Sequence, residues 1–292
     1  MSPATPDLRG RVAVVTGATG GMGREIAARL AEAGARLVTV ARDPVRAAGI
    51  LGPEVDVVSG DLSRRDDVLR AAEIIAGRYE QVHILVNNAG GHFARHRLSA
   101  DGVEMHVALD YLAAFGLMTR LEGPLRRGRA RVVNVASDTL NDTRQITVAG
   151  RPRPATLDLA GVDSLARLNP AAGFVPFEAY ARAKLMTVTA GYALARDLAP
   201  DGVTVNAVHP GIVSTDLIDD LVPPPLRPFR GLIRRTLLTP AQGAEPAVRL
   251  ATAPGGTGKY FNRDAETATP PVSHDPATQQ RLLALSESHF TR

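Results

Sequence analysis

The sequence predicts a single doubly wound α/β domain, a parallel sheet of about seven strands with helices on both faces. Three observations predict it. Short apolar runs rich in β-branched residues alternate with stretches of helical periodicity along nearly the whole chain. Each run ends in the small or polar residues that suit a ligand at the carboxyl edge of a parallel sheet. The first run passes directly into a glycine-rich bend and a helix.

Residues 11–16 are the first strand, followed by Gly17-Ala-Thr-Gly-Gly-Met-Gly23, after which Glu25, Ile26, Ala27, Leu30 and Ala31 fall at helical spacing. Gly17, Gly21 and Gly23 lack a Cβ, so a diphosphate can approach the backbone where free N–H groups point from the helix start; Thr19 and Met22 sit in the same bend. Residues 35–41 form a second strand ending at Arg42, and Asp43 and Pro44 read as N-cap and first helical residue. An acid at this strand end would hold ribose hydroxyls, whereas an arginine accommodates a 2′-phosphate, so Arg42 favours NADP(H) over NAD(H).

The third strand is 54–59, leading to Gly60-Asp61-Leu62-Ser63 and a helix over 65–79. The fourth is 82–86, running into Asn87-Asn88-Ala89-Gly90-Gly91, with His83 read as a packed histidine. A helix is predicted over 101–121, and 130–136 is the fifth strand, with Ser137 and Asp138 just past its end. The stretch 138–177 reads as an insertion forming a pocket wall, with a small hairpin from the alternation in 145–148 and 155–159. A helix over 178–198 carries Tyr180 and Lys184, four apart and on one face. The sixth strand, 203–208, precedes His209-Pro-Gly-Ile-Val-Ser-Thr215. A lid over 216–239, a helix over 240–253, a last strand over 258–261 and a helix containing Leu282, Leu283 and Leu285 complete one domain spanning 1–292, with no repeat.

Composition narrows the function. Of 292 residues 45% are apolar, enough for a sizeable core, yet no run of about 18 apolar residues exists to span a bilayer. The first residues have neither a basic start nor an apolar stretch, so a cytoplasmic protein without a membrane partner is expected. The absence of cysteine removes disulfides, thiolate metal sites and cysteine nucleophiles, and no metal is expected. Net charge is only +4, and aromatics scarcely interleave with the arginine clusters at 126–131 and 227–235, so no nucleic-acid partner is expected.

The chain writes nearly every cation as arginine and keeps lysine only at Lys184 and Lys259. A free tyrosine, with a pKa of about 10, exchanges protons poorly at neutral pH. A cation one helical turn away favours its anion, and a compact ammonium also suits ribose hydroxyls better than a guanidinium fork. The Tyr180/Lys184 pair is therefore informative.

Together these residues resemble the short-chain dehydrogenase/reductase family, and within it the retinol-dehydrogenase-like members, over residues 10–286. The motifs that carry the resemblance are Thr16-Gly-Ala-Thr-Gly-Gly-Met-Gly23, Asp61-Leu62, Asn87-Asn-Ala-Gly90, Asn134-Val-Ala-Ser137, Tyr180-Ala-Arg-Ala-Lys184, and His209-Pro-Gly-Ile-Val213 with Thr215. Thr239-Pro-Ala-Gln-Gly-Ala244 and Gly258-Lys-Tyr-Phe261 add to it. The resemblance implies a Rossmann domain and hydride transfer between NADP(H) and a small-molecule carbonyl/alcohol pair. Tyr180 would be the general acid in reduction, Ser137 would hydrogen-bond the carbonyl oxygen, and Lys184 would lower the Tyr180 pKa and grip the nicotinamide ribose. Asp61 would meet the adenine, Asn88, Ala89 and Gly90 the adenosine side, and Thr215 the carboxamide, with Leu62, Pro210, Gly211 and Val213 joining the cofactor contacts.

Two departures stand out. Asp110 occupies the place of the family's usual proton-relay asparagine, which adds a negative charge near Lys184. The stretch between Ser137 and Tyr180 is longer than the family norm, implying an enlarged wall beside a bulky, lipophilic or polycyclic substrate. The same residues serve ketone reduction and alcohol oxidation on retinoid-, steroid- or sugar-like alcohols. A dinucleotide-binding scaffold or sensor without turnover is the alternative of another class, and a homodimer or homotetramer is left open.

Overall fold

A computed structural model describes residues 6–144, 150–214 and 236–291. The chain runs β1 (Val12–Val15), α1 (Gly21–Glu32), β2 (Arg36–Ala41), α2 (Pro44–Leu51), β3 (Asp56–Ser59), α3 (Arg65–Arg78) and β4 (Ile84–Asn87). A π-helical stretch, His106–Leu112, then leads into α4 (Ala113–Arg120), followed by α5 (Glu122–Gly128), β5 (Arg131–Val135), α6 (Pro176–Leu198) and β6 (Thr204–His209). The remainder is α7 (Pro240–Thr252), β7 (Tyr260–Asn262), β8 (Ala265–Glu266) and α8 (Pro276–Thr291). The sheet order is β3-β2-β1-β4-β5-β6-β7-β8, parallel throughout except for the β7–β8 edge.

Successive side chains of a strand face opposite sides of the sheet, and here both sides are covered. Val12 and Val14 of β1 join a core built with α3, α4, α6 and α8, whereas Ala13 and Val15 join the one under α1 and α7. This is why β1 is apolar at every position rather than at alternate ones. The strand order reverses between β1 and β4, which opens a crevice at their carboxyl ends. Local signals set several helix starts: Asp43 accepts from Arg46 N–H at α2, and Thr239 and Gln242 form a capping box at α7. Among the described residues no helix is long and apolar enough to cross a membrane.

Several expectations are corrected. The predicted helix over 101–121 begins only at His106. Asp101 instead lies in a turn, where its carboxylate accepts the Arg65 N–H at 2.7 Å and caps α3 from outside. His83 precedes β4 rather than lying within it; its Nδ1 accepts from Val12 N–H at 3.1 Å, and burial lowers its pKa, which keeps this half-buried ring neutral. No hairpin strand exists within 150–159, and residues 145–148 lie outside the described residues. Ala155, Leu157 and Leu159 are buried in alternation against the main core, so their period reflects an extended segment lying on the domain without a paired strand. The sheet has an eighth strand, two residues long and antiparallel, too short to show a period. Of the predicted lid only 236–239 is described, where Leu238 bridges to Val213.

Gly128 ends α5 where a Cβ would stand 2.1 Å from the Val82 carbonyl oxygen, while a Cβ at Gly49 in α2 meets nothing within 4 Å. Gly128→Ala should therefore lower unfolding free energy by about 1–3 kcal/mol through backbone displacement. Gly49→Ala should raise it by about 0.5–1 kcal/mol through a stiffer unfolded chain. Urea denaturation with an unchanged m-value checks both.

Candidate active site

The crevice is floored by the glycine bend. Gly20 is the N-cap of α1 and offers no side-chain cap, leaving the first-turn N–H groups for an anion. A Cβ at Gly23 would fall 2.1 Å from the Gly17 carbonyl oxygen, so only glycine lets the bend close this tightly. The segment after β4 latches it: Asn88 Nδ2 donates to the carbonyls of Thr16 (3.0 Å) and Gly17 (3.3 Å), and the Asn88 and Ala89 N–H groups both donate to Thr16 Oγ1 at 2.9 Å. This bend, with no side chain capping the α1 N–H groups, fits a dinucleotide diphosphate.

The other cofactor candidates fall around this crevice in different ways. Arg42 is exposed at the end of β2, with no ion pair among the described residues. The Asp61 carboxylate turns back to accept from Ser63 N–H (3.0 Å) and Oγ (2.8 Å), and its own N–H donates to Asp67. Leu62 is buried in the core, so only its main chain is available to a ligand. Met22 and Val213 both lie against Gly243 at the start of α7, where a Cβ would meet them at 3.3 and 2.4 Å. Pro210 and Gly211 follow β6, Gly211 at φ 91°, and Thr215 lies outside the described residues. Thr19 completes the bend next to Gly20.

On the other side of the crevice α6 presents Tyr180 and Lys184, both buried. Lys184 Nζ lies 5.5 Å from the Tyr180 ring centroid, donates to the Val135 carbonyl at 3.2 Å and stands 3.2 Å from Asp110 Oδ1. Asp110 projects from the π-helical stretch, the kind of widened turn that recurs at functional sites. Its Oδ1 also accepts from Gly91 N–H at 2.9 Å, while the buried Oδ2 has no partner among the described residues. A Cβ at Gly90 would stand 2.3 Å from Asp110 Oδ1, so this glycine makes room for the pair. Thr187 of α6 donates to the Asp110 carbonyl at 2.9 Å, satisfying a group of the widened turn.

The charges act on each other. Burial works against the Lys184 ammonium, but the adjoining Asp110 carboxylate and Tyr180 together outweigh it and the lysine pKa is raised. Burial pushes the Asp110 carboxyl up, against the pull of Lys184 and the Gly91 N–H. Tyr180 departs from expectation. Lys184 and a hydrogen bond with Ser137 favour its anion, but burial, reinforced by Asp110, raises its pKa overall. Ser137, buried at the end of β5, also accepts from Thr139 N–H at 3.4 Å.

The structure surrounds Tyr180 with rings that the sequence did not single out. His92 and His106 lie 6.0 and 5.9 Å from its ring centroid, with Phe177 6.4 Å from His92 and Phe93 5.1 Å from His106. His209, at the end of β6, is a half-buried imidazole whose pKa burial pushes down to about 4. Glu104 and His106 lie in a segment read as ordinary helix, and its apolar period hid them.

Residues 11–148 match the family model for short chain dehydrogenases. Retinol dehydrogenase 12 of Bos taurus is 34% identical over 293 residues, spanning 96% of this chain and 86% of that protein. Polyprenol dehydrogenase of Danio rerio is 32% identical over 301 residues, with the same two shares. Among solved structures, an uncharacterised protein from Mycobacterium paratuberculosis superposes with a TM-score of 0.73 at 25% identity, over 98% of this chain and 95% of that one. A 3-ketoacyl-(acyl-carrier-protein) reductase from Brucella melitensis, complexed with NADH, gives 0.63 at 28% identity over 87% and 97%. A glycine bend at the switch point, a lysine-backed tyrosine facing it and relatives of this length agree: the chain belongs to the short-chain dehydrogenase family, in its retinol-dehydrogenase-like branch, oxidoreductases of alcohols and ketones that use a nicotinamide cofactor.

Proposed function

We propose that the protein is an NADP(H)-dependent ketone reductase acting on a bulky, lipophilic or polycyclic carbonyl compound in the cytoplasm. The observation that carries this reading is the placement of Tyr180: a buried phenol on α6 with the Lys184 ammonium 5.5 Å from its ring centroid can give its proton to a carbonyl oxygen and leave an anion that the lysine stabilises. The ring-lined surroundings of Tyr180 support an apolar substrate, and the lone exposed Arg42 at the end of β2 supports the 2′-phosphate.

The bound nicotinamide cofactor supplies the hydride. The chain's own residues do the rest. Ser137 donates a hydrogen bond to the carbonyl oxygen, and Tyr180 delivers its proton to that oxygen as the carbonyl carbon is reduced. Lys184 then faces a phenolate, stabilises it, and holds it until solvent returns the proton. The reverse reaction uses the same groups, so alcohol oxidation is the companion activity. A scaffold without turnover is the reading that Asp110 would favour.

Three substitutions test this. Tyr180→Phe should lower the rate of NADPH-dependent ketone reduction by about a hundredfold or more while leaving NADPH affinity within about twofold, and an unchanged rate removes the assigned acid. Arg42→Ala should weaken NADPH binding by about tenfold, with NADH binding little altered; equal losses would withdraw the NADP(H) assignment. Asp110→Asn removes the charge that reinforces burial in raising the Tyr180 pKa, so the pH limb controlled by Tyr180 should move down. In oxidation the gain with rising pH then starts earlier, and in reduction the loss with rising pH does too. A limb that stays put in the pH–rate profiles means that Asp110 does not act on the tyrosine.

A further inference from the structure

Behind the rings that surround Tyr180 lies a second buried polar system, which the reaction described above does not use. Glu104 and His106 are both fully buried. Glu104 Oε1 accepts from the His106 main-chain N–H at 3.1 Å and pairs with its Nδ1 at 2.8 Å, while Oε2 accepts from Asn169 Nδ2 at 2.9 Å. Asn169 Oδ1 accepts in turn from Arg182 Nη1. At the other end His106 Nε2 accepts from the Phe93 N–H at 2.9 Å.

The sense of every bond is dictated from the two ends. Arginine only donates, so Asn169 must turn its carbonyl oxygen to Arg182 and its amino group to Glu104. A main-chain N–H only donates, so His106 Nε2 must be the acceptor and Nδ1 must carry the hydrogen toward Glu104. Both arms thus bring hydrogens to the residue in the middle, and only an ionised carboxylate accepts on both oxygens. Geometry alone requires that ionised state, since Oε1 and Oε2 each face a donor.

The chain of bonds ties four distant segments together. Phe93 belongs to the loop after β4, His106 opens the π-helical stretch, Asn169 lies in the insertion at φ 55°, and Arg182 sits between Tyr180 and Lys184 on α6. The His106 ring meets the Tyr180 ring edge-on at 5.9 Å and stacks with Phe174 at 6.2 Å. We propose that Glu104 is a positioning residue for Tyr180. By accepting from both arms it locks the loop over 91–97 and the insertion onto the catalytic helix, so that the wall around the tyrosine is built before substrate arrives. The activity test of this lock rests on the proposed reaction; the bond sense does not.

Glu104→Gln keeps the shape but replaces one acceptor by a donor. Flipping Asn169 cannot relieve the clash, because its amino group would then face Arg182. Adding Asn169→Asp relieves it: the new amide donates to one oxygen of the new carboxylate, and the other still accepts from Arg182. Glu104→Gln should therefore lower kcat for ketone reduction by about tenfold with NADPH affinity within about twofold, and the double variant should recover to within about threefold of wild type. Wild-type kcat in the single variant alongside a lowered Tm marks a structural role only and overturns the proposal. A double variant that is no better than the single one, or that does not fold, overturns it as well. Independently of turnover, histidine ¹⁵N spectra should show a neutral, Nδ1-protonated His106 in wild type and in the double variant, and an Nε2-protonated or cationic ring overturns the bond sense. If the tautomer is as expected but wild type reduces no ketone, the reaction assigned to Tyr180 fails and the lock stands on the spectrum.

Discussion

A buried ammonium must be satisfied on every side, because taking it out of water without partners costs several kcal/mol. Lys184 meets that demand with three groups from three elements: the Val135 carbonyl at the end of β5, the Asp110 carboxylate on the π-helical stretch and the face of Tyr180 one turn back on α6. Much of the local architecture follows from this requirement. Gly90 is the residue without a Cβ that lets the carboxylate reach its place, Gly91 supplies that carboxylate with an N–H, and Thr187 satisfies the carbonyl of the widened turn. The lysine thereby binds the strand ends that carry Ser137 to the helix that carries the tyrosine.

An aspartate in this position alters the balance of charge. With a neutral partner the ammonium would be opposed by burial alone; with Asp110 beside it the carboxylate adds to burial, and the phenol pKa is raised. The phenol is held protonated by its environment while the lysine stays charged and ready to stabilise the anion once the proton has left. Ground state and reacting state are thus served by different neighbours of the same hydroxyl.

Around this centre the protein uses hydrogen-bond direction as well as distance. Donor-only groups at both ends of the path from Arg182 to Phe93 leave room for one acceptor-only residue between them, and Glu104 fills it. The arrangement couples the loop after β4 and the insertion to the helix that carries Tyr180 and Lys184. A wall held this way resists rearrangement because every local alternative leaves a buried donor facing a donor.

What the sequence by itself determined is whatever short-range geometry dictates. A glycine bend between an apolar strand and a helix has few backbone solutions, so the crevice at β1 and α1 was legible, as were Tyr180 and Lys184 on one face of a helix whose period is plain. The alternation of strands and helices likewise left little choice of sheet. Tertiary structure alone decided the π-helical start of the fourth helix, the use of Asn88 to latch the bend and of Asp61 to hold its own loop, and the path that joins Phe93 to Arg182. It also decided the state of Tyr180, because a pKa depends on burial and on charges brought from distant segments, and neither has any signature in the spacing of residues along the chain.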